Sequence, residues 1–258
     1  MKLNLSAIVL IGVTLMSSTT IAAESVKQPP RELPKVIFFD VNETLLDLGN
    51  VALSVTKALD GRDDLVASWF TTMLHYSLVS NAIDDYHHFS DIGVAALQLV
   101  AQQHHIALTQ AEAKQAIQVP FGDLQPHQDV IQGLKRLKAM GVKLVTLTNS
   151  SDAGIKSQLQ NAKLTQYFDK SLTVQSVQIF KPDLRVYQWA LEQMDVDAKQ
   201  SMLVAAHAWD IAGASKAGMQ TAFIQRPGKY QFELFEKADY VASDILSLAE
   251  QLSARKKP

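Results

Sequence analysis

Short apolar runs alternate with helical segments along most of this chain, and that alternation leaves few folds open. Lys35–Phe39 (KVIFF), Val142–Leu147, Ser171–Val174, Ser201–Ala205, Thr221–Gln225 and Asp239–Ala242 read as strands. Between and after them, Asp129–Met140, Ile155–Leu164, Pro182–Met194, Ile211–Ala217 and Ser243–Leu252 carry apolar residues at helical spacing. Gly141 and Gly218 stand where helices stop, and Pro182 reads as a first-turn proline. Runs that are apolar throughout, rather than on alternate residues, are buried on both faces. The expected class is therefore α/β, with a Rossmann-like parallel sheet core under two layers of helix.

Residues 49–124 break the alternation. Val51–Leu59, Leu65–Leu78 and Ile92–Ile106 are helical in pattern, with Ser90 as a candidate N-cap. Thr109-Gln110-Ala111-Glu112 reads as a capping box opening another helix, and Pro120 and Gly122 close the block. The expected organisation is a core of 35–48 plus 125–258, with 49–124 inserted after the first strand as a helical cap domain. Such a cap would cover the carboxyl edge of the sheet, where ligands of open α/β sheets bind.

The N-terminus reads as a targeting segment. Lys2 precedes the apolar stretch Ala7–Met16, which is too short to span a bilayer, and Ile21-Ala22-Ala23 offers a cleavage site. Residues 1–23 are expected to be a signal peptide and 24–34 an extended leader. The expected location is periplasmic or secreted, with no stable membrane contact after signal removal. The chain has no cysteine, which rules out disulfides, thiolate catalysis, cysteine–zinc sites and a lipid-modified N-terminal cysteine. With 24 basic and 26 acidic side chains the net charge is -2, so no nucleic-acid partner is expected. A small-molecule substrate is expected, and a homodimer stays open.

Four segments should meet at the sheet edge: Asp40-Val41-Asn42-Glu43-Thr44, Thr148-Asn149-Ser150-Ser151, Lys181-Pro182 and His207-Ala208-Trp209-Asp210. Each has an ordinary reading alone: a turn, a helix cap, a solvated loop charge, core packing. Together they make a workable site. A carboxylate can be a nucleophile, hydroxyl and amide donors can hold an anion, and a lysine offsets two acids and keeps one ionised. The adjacent pairs His87-His88 and His104-His105 do not share a helix face and read as exposed positions.

The segments FDVNETLLD, LTNSS, VQIFKPDLRVYQWAL and AAHAWDIAGASKAGM resemble the haloacid dehalogenase-like hydrolase superfamily, and within it the type II 2-haloacid dehalogenases. The resemblance implies that Asp40 attacks the halogen-bearing carbon and forms an ester that water hydrolyses. It implies that Lys181 keeps Asp40 ionised, that Asn149 and Ser150 bind the substrate carboxylate, and that Asp210 orients water. Thr44 and Tyr187 match further site positions, and Trp209 matches an aromatic on the halide side. No metal or other cofactor is implied.

Asn42 stands where the superfamily's phosphatases carry a general acid. A neutral amide has no acidic proton to give an alkoxide, and halide needs none. The aspartate that phosphatases carry four residues before the last one is here Ala206. The chain departs from the dehalogenases too. Their lid arginine aligns with Phe70, and no arginine lies between Arg62 and Arg136. A serine and an asparagine of theirs become Ala205 and His207. A halide pocket without that arginine would draw on apolar edges and His75. His207 reads equally as an aid to water activation or as a hydrogen-bonded substitute for the asparagine. Two alternatives stay open: a phosphohydrolase with Mg²⁺ on Asp40, the backbone carbonyl of Asn42 and Asp210, and a non-catalytic binding protein on the same fold.

Overall fold

A computed structural model describes residues 32–255. The expected signal peptide, and the expected leader up to residue 31, lie outside the described residues. Six strands form one sheet in the order β5-β4-β1-β6-β7-β8, every neighbouring pair parallel. They are β1 (Val36–Phe39), β4 (Lys143–Thr148), β5 (Lys170–Thr173), β6 (Ser201–Ala205), β7 (Gln220–Ile224) and β8 (Tyr240–Ala242). β1, β6 and β7 are buried at every residue, as expected of strands covered on both faces. The covering helices are α5 (Val130–Ala139), α6 (Asp152–Asn161), α7 (Leu184–Met194), α8 (Ala208–Lys216) and α9 (Ile245–Arg255).

β1 is central, with β4 on one side and β6 on the other. The chain order therefore reverses at β1, and the carboxyl ends of three neighbouring strands face one crevice. Asp40 follows β1, Asn149 and Ser150 follow β4, and His207 follows β6.

Between β2 (Leu46–Asp47) and β3 (Gln125–Pro126), a short antiparallel pair, the chain runs through α1 (Gly49–Ala58), α2 (Val66–Ile83), α3 (Phe89–Gln103) and α4 (Gln110–Gly122). Val51, Val55, Trp69, Met73, Leu97, Val100 and Ile117 bury the apolar faces of these helices, and the Trp69 ring N–H donates to the Gly93 carbonyl at 2.9 Å. The capping box is present, with the Glu112 amide donating to Thr109 at 3.2 Å and the Thr109 amide to Glu112 at 2.8 Å. Asn81 of α2 clamps the backbone just before Lys181: its amide donates to the Phe180 carbonyl and its carbonyl oxygen accepts from the Phe180 N–H, both at 2.8 Å.

Several boundaries differ from the sequence reading. α3 starts at Phe89 with His88 as N-cap, so Ser90 lies inside the helix. Pro120 lies within α4 rather than after it. Pro182 precedes α7, whose N-cap is Asp183, accepting from the Arg185 amide at 3.0 Å. α8 begins at Ala208, three residues before the expected start, so His207 is its N-cap and Asp210 falls in its first turn. The pair β2–β3 has two residues per strand, too few to show a period.

Candidate active site

The end of β1 hands its last carboxylate to a crowded set of partners. Asp40 is 4% exposed. Its Oδ1 accepts from Lys181 Nζ at 3.0 Å, and its Oδ2 from the Thr44 hydroxyl at 2.6 Å. The Thr44 rotor is fixed because its oxygen accepts the Ala206 N–H at 2.9 Å. Lys181 also donates to Asp210 Oδ2 at 2.6 Å and to the Leu147 carbonyl at 2.8 Å. One ammonium thus sits between two carboxylates, all of it buried.

His207 Nδ1 lies 3.0 Å from Asp40 Oδ2 and its Nε2 lies 2.8 Å from Glu43 Oε2. Glu43 in turn pairs with Lys229 at 2.6 Å. Phe70 from α2 stacks on the His207 ring at 6.3 Å between centroids, and Trp209 stacks at 4.9 Å. Lys229 Nζ lies 5.6 Å from the centre of the Phe70 ring.

Asn42 is tied into the wall. Its amide donates to the Ser150 hydroxyl at 3.3 Å, and its carbonyl oxygen accepts from Gln158 at 3.2 Å. Asn149 accepts the Lys181 backbone N–H at 3.1 Å. Tyr187, expected at the substrate, is instead wholly enclosed and donates its hydroxyl to Asp210 Oδ1 at 2.6 Å. A Cβ at Gly213 would come within 2.6 Å of its ring, so only glycine leaves room for it. His75 lies on an exposed face of α2, against Tyr76, and is no part of this cluster. His87, His88, His104 and His105 are exposed, as expected.

Sequence reasoning missed Glu43 and Lys229. Glu43 sits between two site residues and has a left-handed backbone, φ 61. That conformation is uncommon outside glycine and collects at functional sites. No sequence signal pairs it with Lys229.

Residues 37–224 match the family model described as haloacid dehalogenase-like hydrolase. The chain belongs to that family. A curated relative, the (S)-2-haloacid dehalogenase of Pseudomonas sp. (strain YL), is 30% identical over 218 residues, 84% of this chain and 93% of that protein. An (S)-2-haloacid dehalogenase from Pseudomonas putida is 28% identical over 217 residues, 84% of this chain and 95% of its own. The structure of L-2-haloacid dehalogenase from Xanthobacter autotrophicus superposes with a TM-score of 0.79, covering 88% of this chain and 100% of that one at 22% identity. At that identity the likeness speaks for the fold.

In this haloacid dehalogenase-like hydrolase the electrostatics divide the two acids. Burial alone would raise the Asp40 pKa. The Lys181 charge, the hydrogen bond and charge of His207, and the Thr44 hydroxyl outweigh it and hold the carboxyl well below the usual carboxylate range. Burial, with Asp40 nearby, pushes Asp210 upward against the pull of Lys181. Burial would lower Lys181, but the two acids carry it upward. His207 rises from 6.5 to about 9: burial opposes the charge, and the Asp40 and Glu43 carboxylates overcome it.

Because His207 holds its raised value only in the folded state, the stability it contributes is complete below about pH 6.5. That contribution is lost as pH climbs through about 9. Denaturant melts are expected to show a drop on the order of a few kcal/mol across that window. His207→Asn should flatten it, and an unchanged slope in that variant would refute the assignment.

The donor set does not fit Mg²⁺, which needs near-octahedral oxygen ligands. Lys181 stands between Asp40 and Asp210, Tyr187 takes the other Asp210 oxygen, and Thr44 and His207 take the other Asp40 oxygen, so both carboxylates that would join the Asn42 backbone carbonyl are already engaged by donors. Among the described residues no three His, Cys, Asp or Glu side chains are grouped to hold a metal.

Proposed function

We propose that this hydrolase dehalogenates small 2-haloacids through a covalent ester on Asp40, with no metal. Asp40 Oδ1 attacks the halogen-bearing carbon from the side opposite the halogen, a C–O bond forms, and halide leaves with the bonding pair. Lys181 keeps the nucleophile ionised. Asn149 and Ser150 stand at the end of β4, beside the N-terminus of α6. There they would hold the substrate carboxylate in a field that favours an anion. Helices α1–α4 act as the cap, with Phe70 closing over the His207 face.

The observation that carries this reading is the neighbourhood of Asp40. An ionised, lysine-held carboxylate stands beside an asparagine whose side chain is already bonded to Ser150 and Gln158. A phosphatase of ordinary alcohol esters would forgo general-acid help there, typically worth ~10²–10⁴ in rate. Halide departure needs no proton, so the loss costs nothing in dehalogenation. The (S)-2-haloacid dehalogenases among the relatives support the same substrate class.

Purified protein offered 2-chloropropionate and p-nitrophenyl phosphate, each with EDTA and with Mg²⁺, tests this. Chloride release indifferent to EDTA is expected, with no phosphate release. Magnesium-dependent phosphate release without chloride would replace this reading with the phosphohydrolase.

A further inference from the structure

His207 sits between two carboxylates, and neither can donate when ionised. Both ring nitrogens therefore carry protons: Nδ1–H points at Asp40 Oδ2, 3.0 Å away, and Nε2–H at Glu43 Oε2, 2.8 Å away. Glu43 is held in turn by Lys229 at 2.6 Å, and its backbone carbonyl is 3.2 Å from His127 Nε2. The ring is clamped between Phe70 and Trp209. Its orientation is thus fixed on every side before any substrate arrives.

The two oxygens of Asp40 are not equivalent. Oδ2 accepts from both Thr44 and His207, while Oδ1 accepts from Lys181. Attack through Oδ1 leaves Oδ2 as the carbonyl oxygen of the ester. Two donors, at 2.6 and 3.0 Å, then already face the atom that gains negative charge when water adds. That is the geometry an oxyanion site requires. Resting on the Asp40 ester reading, we propose that His207, positioned by Glu43, and Thr44 form the oxyanion site for hydrolysis of the ester. His207 is then a catalytic residue of the second half-reaction and not of halide displacement, and Glu43 is its positioning residue.

The step balances with the residues present. Water oxygen bonds to the Asp40 Cγ, the carbonyl pair moves onto Oδ2, and one water proton passes to Asp210. The pair then returns, the Cγ–Oδ1 bond breaks, and Oδ1 leaves as the product hydroxyl with a proton from Lys181. Asp210 returns a proton to Lys181 across their 2.6 Å contact. The second water proton ionises from the restored Asp40 to solvent and accompanies the halide. Water oxygen ends in the Asp40 carboxylate.

In the ester Asp40 is neutral, so His207 keeps only Glu43 as a charged partner in contact. Lys229 faces it through Glu43, Lys181 and Asp210 across Asp40, and His127 at the Glu43 backbone. Hydrolysis should therefore fail on the alkaline side at a pH below the His207 value of the free enzyme, and at lower pH still without the Glu43 charge.

Rapid-quench mixing of 2-chloropropionate with wild type, His207→Leu and Glu43→Gln, read by chloride and by intact mass, tests this. His207→Leu should release one equivalent of chloride at near wild-type rate. It should then turn over ~10²–10³-fold more slowly, with Asp40 carrying the acid. Glu43→Gln keeps the shape of the site and should hydrolyse the ester ~10-fold or more slowly, its alkaline limb moved to lower pH. Unchanged turnover in both variants would overturn the proposal. So would a chloride burst that falls in step with turnover and leaves no adduct, since His207 would then serve displacement. Single-turnover chloride release by wild type in H₂¹⁸O that labels the product hydroxyl and leaves Asp40 unlabelled would remove the Asp40 ester itself, and this proposal with it.

Discussion

Asp40→Asn is expected to leave a folded protein that has lost at least ~10⁴-fold of its chloride release from 2-chloropropionate, the scale set by removal of a catalytic nucleophile. The substitution keeps the shape but removes the charge, and it turns an amide N–H₂ towards groups that donate, since Lys181, Thr44 and His207 all donate to Asp40. Folding should survive because neither cation is orphaned. Lys181 keeps Asp210 at 2.6 Å, and His207 keeps Glu43 at 2.8 Å. Stability should fall by about 1–3 kcal/mol, the usual range for a weakened buried hydrogen bond to a charged group. The His207 pKa should drop, because one of its two carboxylates is gone. Chloride release and a denaturant melt read both effects, and a folded Asp40→Asn protein with turnover intact would end the ester mechanism.

The charges around Asp40 balance without a cation from α1–α4. Asp40, Glu43 and Asp210 supply three negative charges, and Lys181, His207 and Lys229 supply three positive ones. The type II resemblance implies a cation at the position Phe70 holds. Here α2 contributes the flat face of Phe70, set against the imidazolium and near Lys229. An aromatic face favours a cation over a neutral ring. The positive charge beside Asp40 thus comes from Lys181, before α7, and His207, at the N-terminus of α8, with Lys229 behind them on Glu43.

How much of this was legible follows from the range of the interactions. VIFF and SMLVA are apolar without interruption, so β1 and β6 and the carboxylate after β1 could be read from a few consecutive residues. Lys181 and Asp210 became convergent once the strand ends were placed at one edge. The reach of His207 was not legible, because it depends on α8 starting at Ala208 while the apolar periodicity begins only at Ile211. Glu43 and Lys229 meet only through the folded crevice. Tyr187 matched a site position by pattern, yet its ring packs inward on Gly213, a contact between α7 and α8 that no linear spacing encodes.

Lys181→Met carries the second large effect, and it is an effect on folding as well as on rate. Removing the ammonium leaves Asp40 and Asp210 buried and facing each other without their shared cation, while Met fills most of the space. Breaking a buried ion pair from one side typically costs ~3–5 kcal/mol, because the remaining charge is uncompensated. The two carboxylates then resist ionising together, so the folded pKa of the pair rises above the unfolded value. A carboxyl whose folded pKa is raised is destabilising where the unfolded state is ionised, and that penalty shrinks as pH falls and the folded site takes up a proton. The variant should therefore be most damaged near pH 8 and regain part of the loss near pH 5, whereas in wild type Lys181 lowers Asp40 and opposes the rise of Asp210, so the recovery from this pair is smaller. Chloride release should fall by more than ~10³-fold, since a protonated or proton-sharing Asp40 is a poor nucleophile and the departing product hydroxyl loses its proton source. Equilibrium unfolding at both pH values separates this account from simple loss of packing, which would cost the same at pH 5 and pH 8.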